Sequence, residues 1–135
     1  MLIIICLWDG ANASITENLS NLFWDDSKLE MYIDNALIPM ATALKNHKAL
    51  FAWEIINEPE GIVFSNRENS EPCYDTIKLH ETGAGWTNKF IPMENILNFI
   101  GRQALAIKDT VFNIILSGNL SLVHFTYFEQ DIIKL

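Results

Sequence analysis

Glu58 is the residue whose chemical type and place in the sequence best suit catalysis. It directly follows the apolar run 49–56, stands beside Asn57 and precedes Pro59, which cannot continue a central strand. Active sites of parallel α/β folds lie at the carboxyl ends of their strands. A carboxyl group that is partly desolvated at such an edge has a raised pKa, as a general acid needs near neutral pH. The spacing alone leaves one alternative open, in which Glu58 is a solvated loop acid.

The other side chains that could take part in chemistry carry weaker signals. Glu54 lies inside the run 49–56 and is predicted as an interior polar residue, a weak candidate for a nucleophile. Asp9 and Glu60 are predicted to be structural. The three histidines share no metal-ligand spacing, so we predict no metal site and no other cofactor. These histidines are His47, His80 and His124.

Two apolar strands and a helix are predicted in the first half of the chain. Residues 2–7 form a continuous apolar run, which is typical of a fully buried parallel strand covered on both faces. Apolar residues then recur at helical spacing, which predicts a helix over about 28–46 with a kink at Pro39. The run 49–56 is the second predicted strand, and Glu58 follows it.

The second half of the chain begins with a long polar stretch. Residues 61–90 predict an irregular loop, and loops of such length are usually functional or disordered. A second helix is predicted from Pro92 to about residue 108, with the proline at its first position. A third strand is predicted over 112–116, whereas residues 120–135 show mixed character and are not assigned.

The alternation of strands and helices predicts a single α/β domain with a parallel sheet or barrel. A length of 135 residues suits one domain. A flavodoxin-like sheet is a further alternative, but it would be favoured by a phosphate-cradling glycine loop after the first strand. Residues 9–12 do not form such a loop.

The composition excludes several classes of protein. Seventeen acidic against nine basic residues give a net charge of −8, and no Lys/Arg cluster occurs, so we predict no nucleic-acid partner. No apolar run reaches the length of a membrane span. The apolar run 2–7 has no basic segment before it, so it is not predicted as a signal peptide. A strand buried from residue 2 leads us to expect further chain upstream. Cys6, within this strand, is predicted as a buried thiol.

Residues 49–61, Ala-Leu-Phe-Ala-Trp-Glu-Ile-Ile-Asn-Glu-Pro-Glu-Gly, resemble the strand-four signature of glycoside hydrolase family 5. They are most similar to that of the endo-β-1,4-mannanases of invertebrate animals. Residues 7–11 resemble the end of the third strand of these enzymes, and residues 32–45 resemble their third helix. Two further segments, 70–76 and 83–86, are similar to the long loop after strand four. The resemblance extends over about residues 2–117.

The resemblance implies roughly half of a (β/α)8 TIM barrel and a retaining reaction on β-mannan. By this match Glu58 is the general acid/base and Asn57 hydrogen-bonds the 2-hydroxyl of the sugar. Trp8 and Trp86 are candidates for stacking on the substrate, although packing roles are equally expected. The family takes its nucleophile from strand seven, and no residue of this chain corresponds to it. Residues 1–135 are therefore expected to be an incomplete catalytic domain, inactive alone.

The resemblance also bears on location and assembly. The family is secreted, and three Asn-x-Ser sequons agree weakly with secretion. They begin at Asn12, Asn18 and Asn119.

Cys73 has a disulfide partner further downstream in the family pattern. Half a barrel would expose sheet edges, from which we expect self-association. Whether the short chain is biological or a gene-model artefact stays open.

Two alternative functions stay open from the sequence. The chain is either part of another family 5 β-glycanase, such as an endoglucanase, or a non-catalytic remnant that binds glycans. The last residues do not separate these alternatives. Residues 123–127 are only faintly similar to the family's strand-six His-Thr-Tyr, and the tail 120–135 is otherwise divergent.

Overall fold

The computed structural model describes residues 1–12 and 20–111, together with the backbone of two strands beyond them. Residues 20–24 are helical, and three short 3-10 turns occupy the region between the second strand and the last helix. The principal elements are, in chain order, β1 (Ile3–Asp9), α1 (Asp26–Tyr32), a π-helical turn (Ile33–Leu37), α2 (Ile38–Leu44), β2 (Leu50–Asn57), α3 (Met93–Thr110), β3 (Ile115–Leu120) and β4 (Val123–Tyr127).

The four strands form one sheet in the order β1-β2-β3-β4. β1 pairs with β2 and β2 with β3 in parallel, as the alternation of strands and helices predicts. β3 and β4 instead pair antiparallel, and β4 lies in a part of the chain, 120–135, that the sequence leaves unassigned. This hairpin also carries β3 through residues 117–120, beyond its predicted end. The described strands form an open sheet rather than a closed barrel.

The predicted kink at Pro39 takes the form of a π-helical turn. α1, the turn and α2 run on from one another over residues 26–44. The Ile38 N–H donates to the Ile33 carbonyl, five residues back instead of four. Proline lacks an N–H, and in a regular α-helix its ring would collide with the carbonyl four residues before it, that of Asn35. A wider turn ahead of the proline accommodates the ring without ending the helix.

The core lies where the helices pack on the sheet. β2 contributes Trp53, Ile55 and Ile56, all nearly inaccessible to solvent. Apolar residues three or four positions apart on the helices pack against them, and this packing is the physical origin of the helical spacing in the sequence. The helical residues of this cluster are Leu29, Ile33, Leu37, Ala41, Ile96, Phe99 and Ile107. Burial of this apolar surface is the main stabilising contribution to the fold.

β1 differs from its prediction as a fully buried strand. Ile3 is 40% exposed, Ile4 is 55% exposed, and the Cys6 side chain is also exposed. The reason is its place in the sheet, because β1 is an outer strand with β2 as its only described neighbour. The prediction of Cys6 as a buried thiol is wrong for the same reason.

The stretch 61–90 is organised by side-chain hydrogen bonds to the backbone. The buried Thr76 hydroxyl donates to the Phe64 carbonyl at 2.7 Å, and the Ser65 hydroxyl donates to the Ala84 carbonyl at 3.1 Å. Val63 and Ile91 form an isolated parallel bridge between the two ends of the stretch. These bonds satisfy the backbone where no sheet or helix does. The stretch is therefore a structured loop, which favours the functional alternative over the disordered one.

Candidate active site

Glu58 follows the last residue of β2, in agreement with its predicted position at a strand end. Its backbone is left-handed, with φ 47° and ψ 49°, which is uncommon for a residue with a side chain. Its carbonyl accepts from the Gly61 N–H at 3.0 Å, which closes a 3-10 turn over Pro59–Gly61. The Glu58 side chain is exposed, so the described residues do not supply the predicted partial desolvation. The turn projects the carboxylate away from the core.

Asn57 ends β2 in the centre of the same edge. In the sheet register it lies opposite Asp9 of β1 and opposite Asn119 of β3. Its carbonyl accepts from the Gly10 N–H at 2.8 Å, and its side chain is half-buried. The carboxyl ends of the three parallel strands therefore meet beside Asn57 and Glu58, as expected for the active edge of an α/β fold.

Asp9 has the structural role predicted for it. Its carboxylate accepts from the Ala11 N–H at 3.0 Å and so holds the turn that follows β1. Glu60 also has a structural role. It is buried, and its backbone carbonyl accepts a hydrogen bond from the Gly85 N–H at 2.8 Å.

Trp86 is brought to this edge by the structured loop. The Thr87 N–H and hydroxyl both donate to the Gly61 carbonyl, at 3.1 and 2.7 Å. The indole lies against Gly61, where an added Cβ would come within 2.9 Å of the Trp86 Cζ2 atom. Trp86 keeps 48% of its surface exposed. The exposed indole of Trp86 thus lies against Gly61, three residues after Glu58, where it suits stacking on a ring-shaped ligand.

The sequence left two roles open for Trp8, stacking on the substrate and packing within the protein. The structure shows that Trp8 takes the packing role. Its indole N–H donates to the Gln103 side-chain oxygen at 2.8 Å, and its ring packs on Tyr32 and Phe99 with centroids 5.0 and 6.0 Å away. Gln103 is fully buried and also donates to the Phe99 carbonyl. Gln103 was not predicted from the sequence; the signal for it is a polar residue on the apolar face of α3.

Cys6 and Glu54 lie opposite each other in the β1–β2 register. Desolvation, and then hydrogen bonding to Glu54 and the charge of that carboxylate, raise the pKa of the Cys6 thiol to about 11. Burial likewise raises the pKa of the Tyr32 hydroxyl to about 12. Glu54 is thus a half-buried polar residue of the sheet, and its place in the interior of a barrel stays a prediction.

The described residues contain no group of three or more His, Cys, Asp or Glu side chains that could hold a metal ion. Within the same part of the chain, no helix is long and apolar enough to cross a membrane.

Comparison with known proteins, by sequence and by structure, gives mannanases in both cases. No family model matches the chain. It is 47% identical over 110 residues to mannan endo-1,4-beta-mannosidase of Mytilus edulis, and 47% identical over 105 residues to that of Cryptopygus antarcticus. These alignments cover 81% and 78% of this chain but only 30% and 27% of the relatives. The chain therefore spans about a third of the length of these relatives.

Solved structures agree with the sequence relatives. Endo-1,4-beta-mannanase of Eisenia fetida superposes with a TM-score of 0.83 at 44% identity, over 87% of this chain and 32% of that one. The beta-mannanase of the blue mussel Mytilus edulis gives a TM-score of 0.81 at 44% identity, over 86% and 33%. The structure of most of this chain is thus similar to about one third of each of these solved structures.

Proposed function

We propose that this chain is the part of a retaining family 5 mannanase that supplies the general acid/base. The chain spans about a third of the length of the endo-1,4-β-mannanases it matches. The observation that carries the proposal is the position of Glu58, directly after β2 and beside Asn57, within a segment that matches the mannanases. Residues 1–135 are then a portion of a catalytic domain.

The chemistry follows from a carboxyl group held at an open edge. Glu58 protonates the leaving glycosidic oxygen and then, as the carboxylate, removes a proton from the attacking water. Asn57 hydrogen-bonds the sugar 2-hydroxyl, an interaction that strengthens in the transition state. A retaining mechanism also needs a nucleophilic carboxylate about 5–5.5 Å from the acid. We propose that this nucleophile comes from polypeptide outside this chain.

The complete site is proposed to lie in a (β/α)8 barrel to which this chain contributes one part. The exposure of β1 and of Glu58 supports this view, because both would be covered or flanked by further strands in a closed barrel. Desolvation of Glu58, which general acid catalysis favours, would then depend on residues of those strands.

Substrate binding is proposed to use the exposed face of Trp86. Its contact with Gly61 places the indole beside the Glu58 turn, and aromatic side chains offer a large apolar surface to a sugar ring. Trp8 is not included, since the contacts of its ring and N–H are made within the core. The relatives named for mannan favour β-mannan over a glucan as the substrate.

Secretion of the complete protein is also proposed. Asn12, the first residue of a sequon, is exposed and accessible to glycosylation. Cys73 is exposed and free in this chain, which leaves it available to a partner cysteine elsewhere in a longer polypeptide. Within the chain alone, the exposed edge of β1 is proposed to mediate self-association.

The proposed function is tested in a hybrid enzyme. Residues 3–111 of this chain replace the aligned third of the Mytilus edulis mannanase, and release of reducing ends is measured on mannan and on carboxymethylcellulose. Activity on mannan alone supports the proposal. Activity on the cellulose derivative alone would show an endoglucanase. A folded hybrid that binds mannan without hydrolysing it would show a glycan-binding remnant.

A further inference from the structure

Gly10, the first residue after β1, lies against the backbone of Glu58. A Cβ atom at Gly10 would be 2.4 Å from the Glu58 carbonyl oxygen and 3.0 Å from both the Glu58 carbonyl carbon and the Pro59 Cα. All three are backbone atoms, which cannot swing aside as the end of a flexible side chain can. Only glycine fits at this position while Glu58 keeps its conformation.

The same residues hold Glu58 in its left-handed conformation. This conformation is unfavourable for a residue with a Cβ, so the surroundings must maintain it. The Gly10 N–H donates to the carbonyl of Asn57, and the Gly61 N–H donates to the carbonyl of Glu58. The peptide groups on both sides of the Glu58 Cα are thus fixed by hydrogen bonds from two glycines, and Pro59, which follows, is buried.

We infer that Gly10 is a positioning residue for Glu58. By leaving room for the Glu58 carbonyl, Gly10 sets the φ and ψ angles of Glu58 and hence the direction in which its carboxylate leaves the backbone. This inference rests on the proposed function in one respect, the role of Glu58 as the acid/base. A side chain at residue 10 would force the 58–59 peptide group to turn, and the Glu58 Cβ would move with it. Small displacements of a reacting group cost much of the rate.

The conformational part of the inference is tested on the full 135-residue chain. Gly10→Ala is compared with Gly101→Ala, because Gly101 lies within α3 and an added Cβ there meets nothing within 4 Å. A positive φ brings the amide and α protons of a residue close together, which gives a strong intraresidue nuclear Overhauser effect. We expect this signal at Glu58 to be lost in Gly10→Ala and kept in Gly101→Ala. Its persistence in folded Gly10→Ala would overturn the inference.

A second pair of variants covers the case in which Gly10→Ala folds but is too unstable for the Glu58 signal to be measured. Glu58→Gly gives residue 58 the freedom to turn its carbonyl away from the added methyl group. We expect Gly10→Ala to lower the urea midpoint less in the Glu58→Gly background than in the native one, at one fixed protein concentration. An equal loss in both backgrounds would show that the clash does not act through Glu58, and the inference would fail.

The catalytic part is tested in the hybrid enzyme. We expect Gly10→Ala to lower kcat by about 10–100-fold with little change in KM, and to have little further effect once Glu58→Gln is present. A merely structural residue would show the same loss in both backgrounds. Loss of the Glu58 signal in the chain with an unchanged kcat in the hybrid would leave Gly10 as the determinant of the turn and would overturn the proposed role of Glu58.

Discussion

The indole N–H of Trp8 donates to the side-chain oxygen of Gln103 at 2.8 Å, joining residues that lie 95 positions apart in the chain. The bond links the end of β1 to the buried face of α3, where Gln103 has no exposed surface. Because Asp9 and Gly10 follow Trp8 directly, this contact fixes the strand end from which Gly10 reaches Glu58. The active edge is therefore anchored in the core on the side of β1.

The first prediction concerns the stability of this anchor. Gln103→Leu leaves the half-buried Trp8 N–H without its partner, and we expect a loss of about 1–3 kcal/mol in the free energy of unfolding. Urea unfolding of the variant measures it. In the Trp8→Phe background, where no N–H needs a partner, the same substitution should cost much less. Equal costs in the two backgrounds would show that the hydrogen bond does not contribute.

The second prediction concerns the thiols. Cys6 and Cys73 are both free, so titration of the denatured chain should report two thiols. Because the pKa of Cys6 is raised to about 11, its thiolate is scarce near pH 8, and alkylation of a Cys73→Ser variant should be slow there and accelerate as the pH approaches 11. Glu54→Gln removes a charge that raises this pKa and should speed the reaction at pH 8. An unchanged rate would contradict the effect of Glu54, and the absence of free thiols would show that the two cysteines pair.

The second prediction extends to the pH dependence of stability, to which the raised pKa values of Cys6 and Tyr32 both contribute. The folded chain keeps its protons on Cys6 and Tyr32 at pH values where the unfolded chain has lost them, since both pKa values are raised on folding. Their contribution is present below about pH 9 and is lost as the pH rises towards 12. Urea midpoints between pH 8 and 11 should therefore fall, and fall less in Tyr32→Phe. A midpoint that rises over this range would contradict the assignment.

The third prediction separates the roles of two tryptophans. In the hybrid enzyme, Trp86→Ala should raise KM for mannan by about tenfold, corresponding to about 1.4 kcal/mol of lost stacking. Trp24 is the matched control, because it is 57% exposed and lies in the helical turn 20–24, whose neighbouring Phe23 stacks on Phe99 of α3 with ring centroids 4.2 Å apart. Trp24→Ala should leave KM unchanged. If both substitutions raise KM equally, Trp86 has no specific role in binding.

The fourth prediction concerns the outer edge of β1. An exposed strand edge with apolar side chains pairs with other chains, so the 135-residue protein should elute from size-exclusion chromatography above its monomer mass of 15.4 kDa. Ile4→Lys places a charge on this strand and should reduce association. Leu105→Lys, at a similarly exposed position of α3, should not. A monomeric native chain would contradict association through β1.

The extent to which the sequence predicts this molecule can be seen at β2 and Glu58. Hydrophobic periodicity places β2 and α3 within two residues of their observed bounds, because burial against the core imposes the pattern directly. The place of Glu58 after β2 follows from the same pattern. Its left-handed backbone does not, since it depends on Gly10, which is distant in sequence and adjacent in space.

Contacts between distant segments also explain the wrong predictions. β1 has the composition of a buried strand, but its burial depends on neighbours that the described chain does not supply. Trp8 has the type of a sugar-stacking residue, and only the position of Gln103 shows that its ring is engaged in packing. Composition and spacing along the chain contain neither of these facts.

The most direct test of the account is the activity of Glu58→Gln in the hybrid enzyme, with Glu81→Gln as an exposed control on the loop after β2. The amide cannot exchange a proton with the leaving oxygen or with water. Because general acid–base catalysis contributes about 10²–10⁴-fold, Glu58→Gln should lose nearly all hydrolysis of mannan while Glu81→Gln retains it. Loss of a general acid should leave about a hundredth of the rate or less. If Glu58→Gln keeps more than about a tenth of the rate of the active hybrid, Glu58 is not the acid/base.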